Sequence, residues 1–496
     1  MMNGSDLLAW PKIIQGGMGI GVSNYRLARA VSMRGALGVV SGTALDTVFV
    51  RRLQLGDPSG SLRRAVASFP CPEMAERVLQ KYFIPGGKAR SEPFRLLSLP
   101  NATLSRSRME VLVVANFVEV FLAKEGHAGL VGINLLEKIQ IPTLPSLFGA
   151  MLAGVDAVLM GAGIPLSIPG VLERLSRWEA VELRLHVESK AAHEPVLLRF
   201  DPTSLLKDRL PLERPKFLAI VSSHVIAKTL LRKASGPVDG FIVEDHSAGG
   251  HNAPPRRQGR QPGEEVGFGP LDAPDSGAFC ALGKPFWLAG SSASREKLTE
   301  ALALGAHGVQ LGTAFAFTEE AAIAEEIKRD VVKRAKGRSL RVITDFEASP
   351  TGYPFKIVVR EEGELANLRA RTRVCDLGYL RQAYLESDGT VGYRCPGEPI
   401  PTYVKKGGKE EDTTNKLCLC NQLLATVELG QERPTGSELP LLTSGMELAE
   451  IARFVRKGAD SYTVADVLSV MNGESASLPS CPPLREVPAE GLPIRA

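Results

Sequence analysis

A histidine that follows two glycines is the residue in this sequence with the clearest capacity for chemistry. Residues 238–243 form an apolar run that predicts a buried strand, and the next loop carries Gly249, Gly250 and His251. Two glycines let the main chain approach a flat ligand without interference from a Cβ atom. An imidazole that titrates near neutral pH can transfer a proton there. Taken alone, the same three residues would be only a loop with a polar end.

Two later segments have the composition of a phosphate-binding site. Residues 285–292 and 306–314 are short apolar runs that each end in glycine and hydroxyl residues. These residues are Gly290, Ser291, Ser292, Gly312 and Thr313. Loops after the last two strands of a (β/α)₈ barrel commonly bind phosphate through backbone N–H groups. Either segment alone would indicate an ordinary strand-to-helix turn, whereas two in succession favour a phosphorylated cofactor.

Composition excludes several classes of protein. The net charge of +4 is small for 496 residues, and no Lys/Arg cluster is interleaved with aromatic residues, so we expect no nucleic-acid partner. The most apolar stretch, residues 148–171, is interrupted by Asp156 and by several Gly and Pro, which argues against a membrane span. Residues 1–6 lack the features of a secretory signal, and seven widely spaced cysteines do not form a disulfide framework. These observations predict a cytoplasmic protein. They do not indicate its oligomeric state.

Eight short apolar runs, separated by helical stretches, predict the strands that position these loops. Each run is apolar for most of its length, as strands covered on both faces should be. Eight such units before residue 320 predict a closed (β/α)₈ (TIM) barrel. The runs are residues 12–15, 36–41, 130–135, 157–161, 217–222, 240–244, 286–289 and 308–311.

Three segments exceed what a minimal barrel needs. Residues 44–128 predict a large helical insertion after the second strand, in which residues 109–120 belong to the true crossover helix. Residues 178–210 alternate apolar and polar side chains and predict an added hairpin. We therefore expect a barrel over residues 1–320 and an appendage, residues 321–496, packed on it.

Five motifs, in this order along the chain, resemble those of the nitronate monooxygenase (2-nitropropane dioxygenase-like) family. They are residues 14–19, 132–134, 248–251, 289–290 and 310–313. That family consists of FMN-dependent (β/α)₈ barrels related to the flavin-type enoyl-acyl-carrier-protein reductases. The resemblance covers roughly residues 10–320 and, as a set of motifs, is specific for the superfamily.

The resemblance implies a role for each matching residue. It places the first loop and Asn134 at the isoalloxazine ring, the glycines of the histidine loop beside it, and His251 between flavin and substrate as base or anion stabiliser. The implied cofactor-binding residues are Gly16, Gly17, Met18, Asn134, Gly249, Gly250, Gly290, Ser291, Gln310, Leu311, Gly312 and Thr313. Ser291 departs from the family, which usually has glycine there, but its N–H remains available. Glu244 and Asp245 could polarise a histidine or be solvated charges.

The implied activity is oxidation of alkyl nitronates, or of another carbon acid, by O₂ to carbonyl compounds and nitrite. The same scaffold would also suit NAD(P)H-dependent reduction of an enoyl thioester or a quinone. Because no Gly-x-Gly-x-x-Gly follows a strand, a nicotinamide would then bind transiently at the flavin. A non-catalytic flavin-fold binding protein is the third interpretation.

Four cysteines in the appendage raise the question of a metal site, because thiolates are ligands of zinc and of iron–sulfur clusters. They are Cys375, Cys395, Cys418 and Cys420. Their spacing is unlike paired Cys-x-x-Cys knuckles, and no histidine follows His307. This pattern favours buried thiols over a metal site.

Overall fold

All eight predicted strands are present and form one parallel sheet, so the predicted fold class is confirmed. The computed structural model describes residues 10–189, 193–256 and 267–473; the N-terminal residues used above to judge secretion lie outside these ranges. The strands are β1 (Ile13–Gln15), β2 (Gly38–Ser41), β3 (Val131–Leu136), β4 (Ala157–Gly161), β8 (Lys216–Val221), β9 (Gly240–Glu244), β10 (Phe286–Ala289) and β11 (Gly308–Leu311).

The sheet closes on itself between its first and second strands. Its order is β1-β11-β10-β9-β8-β4-β3-β2, and every neighbouring pair is parallel. The gap is spanned by two backbone hydrogen bonds, from Gln15 N to Leu37 O (2.9 Å) and from Leu37 N to Ile13 O (3.0 Å). The carboxyl ends of all eight strands therefore surround one mouth, which is where barrel enzymes place their sites.

The side chains of each strand divide between two apolar layers because successive residues point to opposite faces. One buried cluster fills the barrel interior, and a larger one lies between the strands and the surrounding segments. The interior cluster comprises Ile14, Leu37, Val39, Ala157, Leu159, Leu218, Ile242, Trp287 and Ala289. This division explains why the strands are apolar along their whole length instead of alternating.

Helices cover the outside of the barrel. They are α1 (Tyr25–Ser32), α2 (Leu45–Gln54), α3 (Ser61–Ala67), α4 (Pro72–Tyr82), α5 (Arg106–Lys124), α6 (Thr143–Leu152), α7 (Ile168–Ser176), α8 (His224–Lys233), α9 (Ser276–Cys280), α10 (Arg295–Ala303) and α11 (Thr313–Ala316). The predicted helical insertion after β2 comprises α2 to α5. Its last helix, α5, has 19 residues, contains the predicted segment 109–120, and starts where the Ser105 side chain accepts a hydrogen bond from Arg108 N.

Three short strands lie between α7 and β8. β5 (Val181–Arg184) pairs antiparallel with β7 (Leu197–Phe200), and between them β6 (Val187–Glu188) pairs with a strand of the C-terminal part of the chain. The β5–β7 ribbon places apolar side chains inward at every second position, with Val181 and Leu183 buried and Glu182 and Arg184 exposed. Within the described residues, no helix is long and apolar enough to cross a membrane.

The chain beyond β11 returns repeatedly to the barrel. Its elements are α12 (Glu325–Lys336), β12 (Arg341–Asp345), β13 (Phe355–Val359), α13 (Glu364–Ala370), β14 (Gln382–Leu385), β15 (Val391–Arg394), α14 (Ile400–Lys405), α15 (Leu419–Thr426), β16 (Glu432–Arg433), β17 (Gly436–Ser437) and α16 (Val464–Asn472). Backbone contacts join β13 to the histidine loop, including Lys356 N to Gly250 O at 2.9 Å. The C-terminal part of the chain therefore forms part of the barrel mouth.

Candidate active site

A cavity of about 510 Å³ opens at the carboxyl ends of the barrel strands. The sequence-predicted residues that line it are Gly16, Gly17, Met18, Asn134, Gly249, Gly250, His251, Gly290, Ser291, Gln310, Gly312 and Thr313. Leu311 does not line it. Its side chain is buried in the layer outside the barrel, because it alternates with Gln310 along β11. The cavity thus brings together twelve of the thirteen residues that the sequence analysis assigned to catalysis or cofactor binding.

The first loop is held close to the barrel floor by a buried glutamine. Gln15 donates through Nε2 to Ser23 Oγ (2.8 Å) and accepts through Oε1 from Val39 N (3.0 Å). Asn134 Nδ2 donates to Gly17 O at 3.2 Å. A Cβ atom at Gly17 would lie only 2.3 Å from Asn134 Cβ, so this position requires glycine. The loop therefore presents bare backbone to the cavity.

His251 lies in the cavity wall with one ring nitrogen fixed. Its Nε2 is 2.7 Å from Ser349 Oγ, and its ring packs edge-on against Phe355 with centroids 4.8 Å apart. Burial, with a smaller contribution from the Lys138 cation, lowers the pKa of His251 to about 4. The imidazole is therefore uncharged at neutral pH, which makes it a proton acceptor but a weaker base than an exposed histidine.

The two predicted phosphate turns lie side by side at another part of the cavity. Gly290 has φ +109°, and a Cβ there would lie 2.8 Å from Ser247 Oγ. Ser291 has φ +42°, in the left-handed region that a non-glycine residue rarely adopts. Thr313 Oγ1 accepts hydrogen bonds from Gly445 N (2.9 Å) and Ser444 Oγ (3.3 Å). Backbone N–H groups and hydroxyls are the donors that a phosphate monoester requires.

Sequence reasoning did not identify residues 443–447, which lie in this part of the wall. Thr443 Oγ1 accepts from Gly250 N at 3.0 Å, and Met446 N donates to Ser247 O at 2.9 Å. Glu447 accepts from Ala293 N at 3.3 Å, and burial raises the pKa of its carboxyl. The segment is about 130 residues from Thr313 along the chain, and no motif marks it. The C-terminal part of the chain thereby supplies polar groups to the cavity.

The sequence analysis named Glu244 without assigning it a role, and it did not identify the partners Asn252 and Lys356. This carboxyl lines the cavity at the end of β9 and is hydrogen bonded to Asn252, whose Oδ1 accepts from Lys356 Nζ at 2.9 Å. Burial raises the pKa of Glu244 to about 7, although Asn252 and Lys356 oppose the shift. Burial also lowers the pKa of Lys356 to about 8. Both groups titrate near neutrality, which is common at functional sites.

The residues present fit FMN. The cavity combines a bare glycine floor, hydroxyl and N–H donors beside Gly290 and Thr313, and an unpartnered buried acceptor, Gln310 Oε1. An isoalloxazine ring offers an N–H donor for such an acceptor, and the ribityl phosphate suits the donors. Gly16, Gly17, Asn134 and Gln310 would hold the ring, and Gly290, Ser291 and Thr313 the phosphate.

A comparison with protein families matches the nitronate monooxygenase family over residues 183–392. This segment contains the histidine loop and both phosphate turns. The first-loop and Asn134 motifs lie outside it. No curated protein matches the chain.

Three solved structures align with this chain over most of its length. FabK from Thermotoga maritima is 16% identical with a TM-score of 0.47, covering 95% of each chain. Nitroalkane oxidase from Streptomyces ansochromogenes is 15% identical with a TM-score of 0.48, covering 95% of this chain and 97% of the other. The enoyl reductase domain of MlnA from Bacillus amyloliquefaciens is 11% identical with a TM-score of 0.46, covering 95% of each chain. At these values the likenesses carry no conclusion about activity.

The family match confirms the resemblance over the segment that builds the histidine loop and the phosphate turns. Residues 183–392 therefore match the nitronate monooxygenase family, within a chain whose eight parallel strands form a (β/α)₈ barrel.

Proposed function

We propose that the protein is a nitronate monooxygenase that oxidises alkyl nitronates, or a closely related carbon acid, with O₂. The observation that carries the proposal is His251. Its imidazole is uncharged, fixed by Ser349 at 2.7 Å, and located in the same cavity as the glycine floor and the phosphate turns. Such a site suits a small anionic substrate, because a neutral imidazole can accept a proton or donate a hydrogen bond.

FMN, when bound, supplies the electron-transfer chemistry and the reaction with O₂. The chain's own residues do the remaining work. His251 accepts or holds a proton at its free ring nitrogen, while Ser349 fixes the orientation of the ring. Phe355 and Tyr353 add aromatic surface to the wall of the cavity.

An exposed cation lies near this wall. Lys138 Nζ is 3.7 Å from the centroid of the Tyr353 ring and donates to Thr351 O at 3.3 Å. Its positive charge would favour the approach of an anionic substrate to the mouth of the cavity. Since Lys138 is solvated, we assign it attraction of the substrate and no part in the chemical step.

The test compares two reductants of the same flavin. Purified FMN-loaded protein is mixed anaerobically with propyl nitronate and, separately, with NADH or NADPH, and O₂ uptake is then measured with each. We expect nitronate to bleach the flavin and to drive O₂ uptake with release of nitrite. Bleaching at catalytic rates by a pyridine nucleotide alone would instead identify a reductase. A folded protein that binds FMN and reacts with neither would be a non-catalytic binding protein.

A further inference from the structure

One segment of the C-terminal part of the chain contacts three loops at the mouth of the barrel. We call this segment, residues 443–447, the mouth segment. Its Gly445 N donates to Thr313 Oγ1, after β11, at 2.9 Å, and its Glu447 Oε2 accepts from Ala293 N, after β10, at 3.3 Å. Further hydrogen bonds join it to the histidine loop after β9. The mouth segment therefore connects both predicted phosphate turns to the histidine loop.

The mouth segment orients the hydroxyl group of Thr313. A hydroxyl group has one hydrogen to donate and accepts hydrogen bonds through the lone pairs of its oxygen. The oxygen of Thr313 already accepts from Gly445 N at 2.9 Å and from Ser444 Oγ at 3.3 Å. Because Thr313 lines the cavity, its own hydrogen is left for an acceptor such as a phosphate oxygen.

The same segment places a carboxyl group among the phosphate donors. Glu447 is partly buried and lines the cavity together with Gly290, Ser291 and Thr313. A phosphate monoester carries a charge of about −1.5 to −2 at pH 7. Two anions that lie side by side away from bulk water do not both keep their full charge, so one of them takes up a proton.

No lysine or arginine of the cavity wall offsets these negative charges. Among the described residues that line the cavity, Arg256 is the only Lys or Arg. Its guanidinium group lies beyond the end of β8, where it donates to Ser222 O at 3.0 Å and to Leu271 O at 2.7 Å. The predicted phosphate turns therefore offer N–H and hydroxyl donors without a basic side chain in the wall beside them.

The charged groups behind Glu447 are already paired with each other. Arg453 and Glu450 lie on the short helix Leu448–Phe454 and form an ion pair. Arg453 Nη1 also donates to Ala293 O at 3.3 Å. Burial raises the pKa of Glu447 and Glu450 adds to the shift, whereas the Ala293 N–H and Arg453 oppose it. The surroundings of this carboxyl thus favour its neutral form even before a phosphate adds its charge.

We propose that Glu447 belongs to the FMN-phosphate site as a neutral carboxylic acid, so that binding of FMN takes up one proton from solution. A protonated carboxyl keeps one oxygen as the acceptor for Ala293 N and offers its O–H to the phosphate. The carboxylate form repels the phosphate instead, so affinity for FMN falls as the pH rises. This inference rests on FMN as the cofactor of the proposed function, and on no step of nitronate oxidation.

Calorimetry on the full-length, flavin-depleted protein measures this proton. FMN is titrated at about pH 8, where a free phosphate monoester is a dianion, in buffers of different ionisation enthalpy. We expect uptake of about one proton per FMN and none with riboflavin, which lacks the phosphate. The dissociation constant for FMN should rise by up to about tenfold per pH unit. FMN binding without proton uptake, or equal uptake with riboflavin, would overturn this inference alone, whereas a protein that binds no FMN would overturn the proposed function as well.

An amide in place of the carboxyl identifies the group that takes up the proton. Glu447→Gln does not ionise, so it should bind FMN without proton uptake and, at about pH 9, about tenfold more tightly than the unmodified protein. Glu300→Gln is the matched control, because that side chain is 57% exposed and pairs with Lys297 on α10, and it should keep the uptake. Unchanged uptake in Glu447→Gln would assign the proton to another group and contradict the proposal. If that variant fails to fold, the comparison of FMN with riboflavin on the unmodified protein still decides the question.

Discussion

At the scale of single residues, the arrangement of His251 explains its proposed role. A histidine with an exposed ring would be partly protonated near neutral pH, whereas this ring is buried, bonded to Ser349 and uncharged. The imidazole of His251 is therefore in its uncharged, proton-accepting form throughout the neutral pH range. The same burial makes the folded protein less stable in acid, since the unfolded chain protonates this histidine at a higher pH than the folded one does.

Replacement of His251 separates chemistry from cofactor binding. We expect His251→Asn to keep bound FMN, because the phosphate turns are untouched, and to lower turnover of nitronate by about 10²–10⁴-fold. Steady-state O₂ uptake and the visible absorbance of the purified variant measure the two effects. His186→Asn is the control, since that side chain is 82% exposed, and it should behave like the unmodified protein. Unchanged turnover in His251→Asn would remove the residue from the mechanism.

The raised pKa of Glu244 predicts that the folded protein loses stability as the pH rises, which is opposite to the effect of His251. Its folded-state pKa is about 7 against an ordinary value of 4.5, so the folded protein holds an extra proton between these values. Its contribution to stability is therefore complete below about pH 4.5 and is lost as pH rises to about 7. Because His251 titrates over much of the same range with the opposite sign, the loss is measured as the difference in denaturant unfolding between the unmodified protein and Glu244→Gln, which keeps the His251 effect. An identical pH dependence in the variant would show that Glu244 is not the titrating group.

At the scale of elements, the strands were predictable and the completed site was not. Runs such as 240–244 and 286–289 are apolar and of strand length, so their identity is a local property of the sequence. Ser349 meets His251 from 98 positions away, and Thr443 meets Gly250 from 193 positions away. No local pattern encodes such contacts. Leu311 shows that a sequence motif can also include a residue whose side chain does not reach the site. It belongs to the motif at residues 310–313, but the alternation of side chains along β11 turns it away from the cavity.

A substitution at Gly17 tests how closely the first loop packs against the barrel strands. We expect Gly17→Ala to destabilise the protein by about 1–3 kcal/mol and to weaken FMN retention, because its Cβ would overlap Asn134 and contact Val39. Gly337→Ala is the matched control: its φ is −83°, and its added Cβ would meet nothing nearer than 3.7 Å. Equal unfolding midpoints and FMN content in the two variants would contradict the described packing.

At the scale of the whole molecule, a buried polar cluster connects the C-terminal part of the chain to the helical insertion. Tyr379 donates to Asp46 Oδ1 at 2.5 Å and contacts Thr47 Oγ1 at 2.7 Å, while Arg108 pairs with Asp46 Oδ2 at 2.6 Å. These side chains belong to α2, α5 and the loop before β14, and Tyr379 also lines the large cavity. The cluster therefore links the stability of the added segments to the shape of the active site.

Loss of the Tyr379 hydroxyl should lower the stability of the whole protein. We expect Tyr379→Phe to lower the free energy of unfolding by about 1–3 kcal/mol, because buried Asp46 loses a hydrogen-bond donor. Tyr384→Phe is the comparison, since its hydroxyl donates to Glu386 on the same hairpin. Urea unfolding of both variants measures the difference. A smaller effect in Tyr379→Phe than in Tyr384→Phe would show that the cluster does not link the parts.

The most direct test of the central claim is a crystal structure of the protein with FMN bound. We predict that the phosphate lies against Gly290, Ser291 and Thr313 and that the isoalloxazine ring reaches between Gly17 and His251. Density for the cofactor at another place on the molecule would contradict the account. So would a cavity that stays closed to FMN at saturating concentration.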